Sequence, residues 1–313
     1  MWLGAVLFLI GVGLVLWGAE RFTDGALGAA TRFRLSPFFV GALVSGFEPE
    51  NLVTGVAATL GSLPQVALGT VIGAAIFMLT AGLGAALLLV PMDVNIPKPG
   101  TLAMGFVLLP FAVALWNDGT VSRQEGALLV LVALAVLAWL YRRSPILLAT
   151  DRDVEPQSGA LSRARVFLLL LVGVGSLFVG AELVVRGASA LISSLGISET
   201  FFGMTVVALG ESFEETARMV APARRGHPEL AWGNVVGTVV ILLGFNLGAI
   251  ALVRPLAADP LVLRLHVPYL VACTLLVAGA LLAARRLGRG FGALLVLLYL
   301  LYLGLNLPHL FGP

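Results

Sequence analysis

Seventeen of the 313 residues are Asp or Glu, and five of them fall inside long apolar stretches. Glu48 and Glu50 lie in FFVGALVSGFEPENLVTGVAATLG, and Glu211, Glu214 and Glu215 lie in FFGMTVVALGESFEETA. A carboxylate at the centre of a bilayer costs roughly 2.5–3.5 kcal/mol even on the lenient insertion scale. Five of them therefore require compensation, by protonation, an ion pair or a bound cation. Beside them stand Gly46, Pro49 and Gly210, residue types that interrupt helices and free backbone carbonyls. Asn51, Ser212, Asn234, Thr238, Thr70 and Asn246 add neutral oxygens close in sequence. Hard cations are held by carboxylate, carbonyl, hydroxyl and amide oxygens. The chemistry open to these residues is reversible binding of a positive ion at membrane depth.

The elements that must position them are transmembrane helices. The chain is 59% hydrophobic and 12% charged, against about 25% charged in soluble domains. That composition argues against a water-soluble enzyme, a disordered chain and a nucleic-acid binder. The single cysteine, Cys273, rules out an intrachain disulfide or a cysteine-rich metal site. Ten apolar runs reach the length of about 20 residues that a span needs. They cover 2–28, 36–60, 66–91, 99–117, 125–141, 164–192, 198–222, 229–252, 264–284 and 290–308. The first run has no small-residue cleavage pattern and is expected to be retained. Thirteen Lys and Arg fall in the loops after the odd-numbered runs, and only Arg123, Arg254 and Arg264 fall on the other side. This asymmetry predicts a plasma (inner) membrane protein with both termini outside the cytoplasm. Residues 142–163 then form a cytoplasmic linker between a first five-helix repeat, 1–141, and a second, 164–313.

An odd number of spans per half forces homologous halves to sit inverted in the membrane, and internal similarity is present. GAERFTDGA from Gly18 matches GAELVVRGA from Gly180, and a gap-free offset of 164 pairs Gly46 with Gly210, Gly69 with Gly233 and Gly73 with Gly237. Each copy runs from an apolar span through an acidic knot into a span opening with ALG or AWG. The expected fold is an all-α polytopic membrane protein of ten transmembrane helices, arranged as two inverted five-helix repeats.

TVVALGESFEETA, followed eighteen residues after Glu215 by GNVVGT, resembles the α-repeat of the calcium/cation antiporter superfamily. Sodium/calcium exchangers of that superfamily carry T-x-V-A-x-G-T-S-x-P-E and then G-N-x-x-G-S. Thr205, Ala208, Gly210, Ser212, Glu215, Gly233, Asn234 and Gly237 stand where the motif expects them, and Thr238 replaces its serine. In the first half Asn51 occupies the position of the family glutamate, whereas a shift by one residue makes Pro49-Glu50 the PE pair; both alignments stay open. The resemblance implies a secondary active antiporter, most simply of sodium and calcium, working by alternating access. Its core would be spans 2, 3, 7 and 8, with the long spans 1 and 6 sliding past it. It implies a cation site in which Glu50 or Asn51 and Glu215 bind the ion, Glu211 and Glu48 extend or gate the site, and Ser212 and Thr238 add oxygens. Glu50, Glu215 and Glu211 are the expected metal ligands. No cofactor is expected beyond the transported Ca²⁺, Na⁺ or H⁺, and the partners are inorganic cations and the lipid bilayer.

Departures from the motif matter as well. Glu211 replaces its threonine and Glu214 its proline, while Ala74, Met78 and Leu242 stand where polar or acidic ligands are usual. Packed carboxylates raise one another's pKa, which keeps proton/cation exchange open, and the missing ligands leave room for a transport-deficient binding or regulatory protein. A membrane enzyme finds no support, since HExxH and GxSxG are absent. Plainer roles are expected elsewhere. Arg218 can pair with Glu214 or Glu215; Glu20 with Asp24, and Glu182 with Arg186, suit solvation or pairing near span ends. The glycines at 69, 73, 233 and 237 suit close helix packing. His227 suits a loop, and Trp2, Trp17, Trp116, Trp139 and Trp232 suit aromatic belts.

Overall fold

The computed structural model describes residues 2–32, 48–94, 98–143, 162–224, 226 and 228–311. Within them the apolar runs fold into helices: α1 (Trp2–Arg32), α2 (Pro49–Leu60), α3 (Pro64–Leu89), α4 (Lys98–Asp118) and α5 (Arg123–Arg143). After the linker come α6 (Arg163–Leu195), α7 (Glu199–Phe201, Phe202–Val207 and Ala208–Arg224 without a break), α8 (Pro228–Val253), α9 (Val262–Ala283) and α10 (Arg289–Asn306). Among the described residues eight of these are long and apolar enough to cross a bilayer. Of the other two, α2 is described only from Glu48 onward, and α7 carries Glu211, Glu214, Glu215 and Arg218 within about two turns. Four two-residue strands tie the helix ends in pairs: β1 (Met92–Asp93) with β4 (Arg286–Leu287), and β2 (Thr120–Val121) with β3 (Leu256–Ala257), both antiparallel. The protein is thus a mostly helical, multi-span membrane protein.

Burial separates a core from a periphery. The spanning windows of α3 and α8 are 83% and 78% buried, whereas those of α1, α5, α6 and α10 are 28–33% buried. The outer faces carry Leu, Val and Phe side chains in contact with the surroundings, as expected where lipid is the solvent and apolar side chains need not be hidden. α1 and α6 pack antiparallel through glycines spaced by sevens, Gly4, Gly11, Gly18 and Gly25 against Gly173, Gly180 and Gly187. A Cβ on Gly11 would lie 2.8 Å from the Gly180 carbonyl, and one on Gly180 would lie 2.8 Å from the Val15 amide. Lipid offers no hydrophobic drive for helix association, so backbone approach of this kind supplies the van der Waals contact that holds the pair.

Many contacts occur twice. Gly84 packs on Gly292 and Gly126 on Gly248. Arg289 Nε donates to the Leu88 carbonyl at 3.1 Å, and Arg123 Nη2 to the Val253 carbonyl at 3.2 Å. A shift of 164–166 residues converts each member of one pair into its counterpart, and it does the same for the two strand pairs.

Gly69 and Gly73 are packing residues: a Cβ on Gly69 would run into the Gly203 backbone, and one on Gly73 would lie 2.7 Å from the Met204 carbonyl; Gly237 is not, since nothing stands within 4 Å of where its Cβ would lie. Glu182 and Arg186 pair at 2.6 Å on an exposed face. Arg21 bridges Glu20 and Asp24, at 3.8 and 3.4 Å. Trp232 departs from the aromatic-belt expectation. It is fully buried, and its Nε1 donates to the Asp93 carbonyl at 2.9 Å, because the β1–β4 corner folds over the start of α8 and offers a buried acceptor. His227 and most of the linker lie outside the described residues.

Candidate cation site

In the first acidic segment α2 begins at the proline, and the residues immediately before Glu48 lie outside the described residues. Glu48 adopts the left-handed conformation (φ 43, ψ 65), and Pro49 opens α2 directly after it. Proline at the first helical position has its ring pre-set for the turn and no amide to leave unsatisfied. A left-handed non-glycine residue costs roughly 1–2 kcal/mol, and such strain is concentrated at ligand sites. The strained backbone is held from two sides. Asn51 Nδ2 donates to Glu48 Oε2 at 3.0 Å, and Asn246 Nδ2, from α8, donates to the Glu48 carbonyl at 3.4 Å.

The second acidic segment differs from expectation. Gly210 does not break α7; its backbone continues the helix, and only the Val12 side chain approaches within 4 Å of where a Cβ would stand. Glycine costs a helix about 1 kcal/mol and does not force an interruption. The irregularity lies just before it, in the π-helical segment Phe202–Val207. π-helical turns also occur at Gly69–Gly73 and Met78–Gly82 of α3 and at Ile241–Asn246 of α8. Wide turns of this kind are frequent at functional sites and alter which carbonyls are engaged.

These elements bring carboxylates from the two halves together. Glu211 of α7 stands beside the Thr54 hydroxyl of α2 and within range of the Glu50 charge. Glu48, Glu50, Asn51 and Ser212 are each 2% exposed, Glu211 1% and Thr238 4%. Thr70 and Asn246 are buried as well, with the Thr70 hydroxyl committed to the Ala67 carbonyl at 2.8 Å. The side chains of Glu214, Glu215 and Arg218 lie outside the described residues. Ala74, Met78 and Leu242 are buried and apolar, so α3 and α8 offer no side-chain oxygens at those positions.

Buried polar atoms in proteins are nearly always hydrogen-bonded. Here, among the described residues, both carboxylate oxygens of Glu211, Asn51 Oδ1, Thr54 Oγ and Asn246 Oδ1 are buried without a hydrogen-bond partner. All five are oxygens, and all can accept. An oxygen-only set of this kind fits a hard cation, which satisfies several lone pairs at once. No three described His, Cys, Asp or Glu side chains form a metal cluster by themselves, so neutral oxygens have to complete any coordination shell. Thr54 was not singled out by any motif. Its position four residues after Glu50 on one helix face is the signal that could have found it.

The family described as sodium/calcium exchanger protein matches residues 3–142 and 165–307. The inner membrane protein YrbG of Escherichia coli K12 is 29% identical over 309 residues, covering 94% of each chain. The sodium/calcium exchanger MaX1 of Methanosarcina acetivorans is 24% identical over 343 residues, covering 95% of this chain and 97% of its own. A structure of the sodium-calcium exchanger NCX_Mj soaked with 2.5 mM Na⁺ and 0.1 mM Ca²⁺ is similar with a TM-score of 0.65 at 26% identity, covering 96% of this chain and 98% of that one. The family match takes in nearly all of both halves, and this chain belongs to the sodium/calcium exchanger protein family.

Proposed function

We propose that this protein is a secondary active cation antiporter that exchanges sodium for calcium by alternating access. The observation that carries the reading is the group of buried oxygens on α2, α7 and α8 that have no hydrogen-bond partner among the described residues. Glu50, Glu211 and Glu215 bind the ion, Glu48 is aimed by Asn51, and Ser212, Thr238, Thr54 and Asn246 supply neutral oxygens. The site lies in a ten-span protein of two inverted five-helix repeats, 1–141 and 164–313, joined by a cytoplasmic linker at 142–163. The duplicated glycine, arginine and strand contacts support that arrangement, and the basic-residue asymmetry supports termini outside the cytoplasm in an inner membrane. The α1–α6 pair, joined backbone to backbone, moves as one body against the core and opens the site to each side in turn.

Proton/cation exchange is the second reading, favoured by two buried carboxylates, Glu50 and Glu211, whose charges act on each other, since coupled carboxylates can carry a proton where one would carry none. Purified protein in liposomes separates the readings. Sodium-loaded vesicles should take up calcium and lose that uptake when sodium is replaced by choline, and the Glu215→Gln variant should express normally but carry no flux. Uptake driven only by a pH gradient would establish the second reading. Absence of all flux would mark a protein that binds without transporting.

A further inference from the structure

A second buried polar cluster lies outside the cation site, on α9 and α10. His266, at the end of the π-helical segment that opens α9, is fully buried, and its Nδ1 is 2.9 Å from the Tyr302 hydroxyl of α10. That hydroxyl donates to the Met204 carbonyl at 3.4 Å. Asn306 Nδ2 donates to the Tyr302 carbonyl at 2.8 Å, one turn further along α10. Tyr269 and Tyr299 flank the Tyr302 ring at 5.1 and 6.0 Å between centroids, and Tyr299 meets Phe77 of α3 edge to face. Burying two tyrosines and a histidine in a membrane protein is costly unless their polar atoms are used.

Met204 explains the use. It sits inside the π-helical turn Phe202–Val207, two turns before Glu211 on the same helix. Its carbonyl faces Gly73 in the first π-helical turn of α3, one turn from the still closer approach of Gly69 to Gly203. The Tyr302 hydroxyl reaches the same carbonyl from the peripheral side. The first half has no such group: the residues at the corresponding shift of 166 are Ala133, Val136 and Leu140. The cluster is therefore not an obligatory part of the packing of a repeat.

We propose that Tyr302, oriented by His266, is a positioning residue for exchange: it fixes the Met204 carbonyl and with it the π-helical turn that sets where α7 presents Glu211. The contact is long for an O–H···O bond and so is readily lengthened or released as α7 moves. The role rests on the exchange reading, but its structural half can be tested alone.

The test compares Tyr302→Phe with Tyr299→Phe in the full chain. Both remove one buried hydroxyl and keep the ring, but the Tyr299 hydroxyl has no hydrogen-bond partner among the described residues. Tyr302→Phe should lower the maximal rate of sodium-driven calcium uptake about two- to ten-fold, the range expected for loss of one neutral hydrogen bond. Half-saturation by calcium should stay nearly unchanged, and Tyr299→Phe should match the parent. Hydrogen exchange at the 202–207 amides should accelerate in Tyr302→Phe and not in Tyr299→Phe. Equal rates and equal amide exchange in the two variants would overturn the proposal. If the parent carries no flux, the exchange reading fails, while the amide-exchange comparison still decides whether Tyr302 holds the turn.

Discussion

Glu211 offers a way to tell a binding carboxylate from a structural one. It is 1% exposed, neither of its oxygens is hydrogen-bonded among the described residues, and Glu50 lies within range of its charge. A buried charge without a partner carries a penalty of several kcal/mol, and insertion scales put a carboxylate at this depth at roughly 2.5–3.5 kcal/mol. Glu211→Gln keeps the shape and removes the charge. At alkaline pH, where the ion-free carboxyl is ionised, the variant should therefore be the more stable, by about 1–3 kcal/mol after relaxation, a rise in Tm of several degrees at about 2–4 °C per kcal/mol; at low pH, where it is protonated, parent and variant should melt alike. The parent should gain about 2.7 kcal/mol when calcium reaches a hundred times its Kd, and the variant should gain little. Thermal unfolding in detergent, with and without calcium, gives both numbers, and flux in liposomes gives the third. A structural salt bridge makes the opposite forecast, because breaking a buried pair costs about 3–5 kcal/mol. A Glu211→Gln protein that melts lower without ions and still responds to calcium would refute the reasoning.

Other changes test neighbouring parts of the account. Asn51→Ala removes a hydrogen bond to a charged group, worth about 1.5–3 kcal/mol, and should raise the calcium concentration for half-maximal uptake about ten-fold or more. Glu48→Gly relieves the left-handed strain of roughly 1–2 kcal/mol but also deletes the carboxylate that accepts from Asn51 Nδ2; Tm should therefore change little while calcium uptake weakens, and unchanged uptake would show that Glu48 serves the fold alone. Gly180→Leu drives a side chain into the Val15 and Gly11 backbone and should separate α1 from α6. Loss of a cysteine cross-link engineered between those helices would report it, and an unchanged cross-link yield would contradict the packing argument.

Membrane architecture was legible because hydropathy and span length act residue by residue, and the helices of α3–α6 and α8–α10 fall within a few residues of the apolar runs. The acidic knots were legible for the same reason, as charge in hydrocarbon stands out in any reading. The start of α2 at Pro49 followed from proline's preference for the first helical position. A break at Gly210 did not materialise, because glycine permits an interruption without requiring one. The π-helical turns left no local signal; those at Gly69–Gly73 and Phe202–Val207 lie where α3 and α7 press backbone against backbone, a contact that exists only in the folded chain. Trp232 was misread because a residue near a span end can equally lie under a connecting strand. The glycine sevens of α1 and α6 were present in the sequence but gained meaning only once the two helices were seen antiparallel. His266 and Tyr302, 36 positions apart, meet only in three dimensions.

The central claim is that a cation occupies the buried point where α2, α7 and α8 converge. Anomalous diffraction from crystals soaked in calcium or strontium tests it most directly. The account predicts a peak within the range of calcium–oxygen bonds, about 2.3–2.6 Å, of Glu50 and Glu211 oxygens, and its disappearance at high sodium. Peaks confined to the aqueous ends of the helices, with none between α2 and α7, would contradict it.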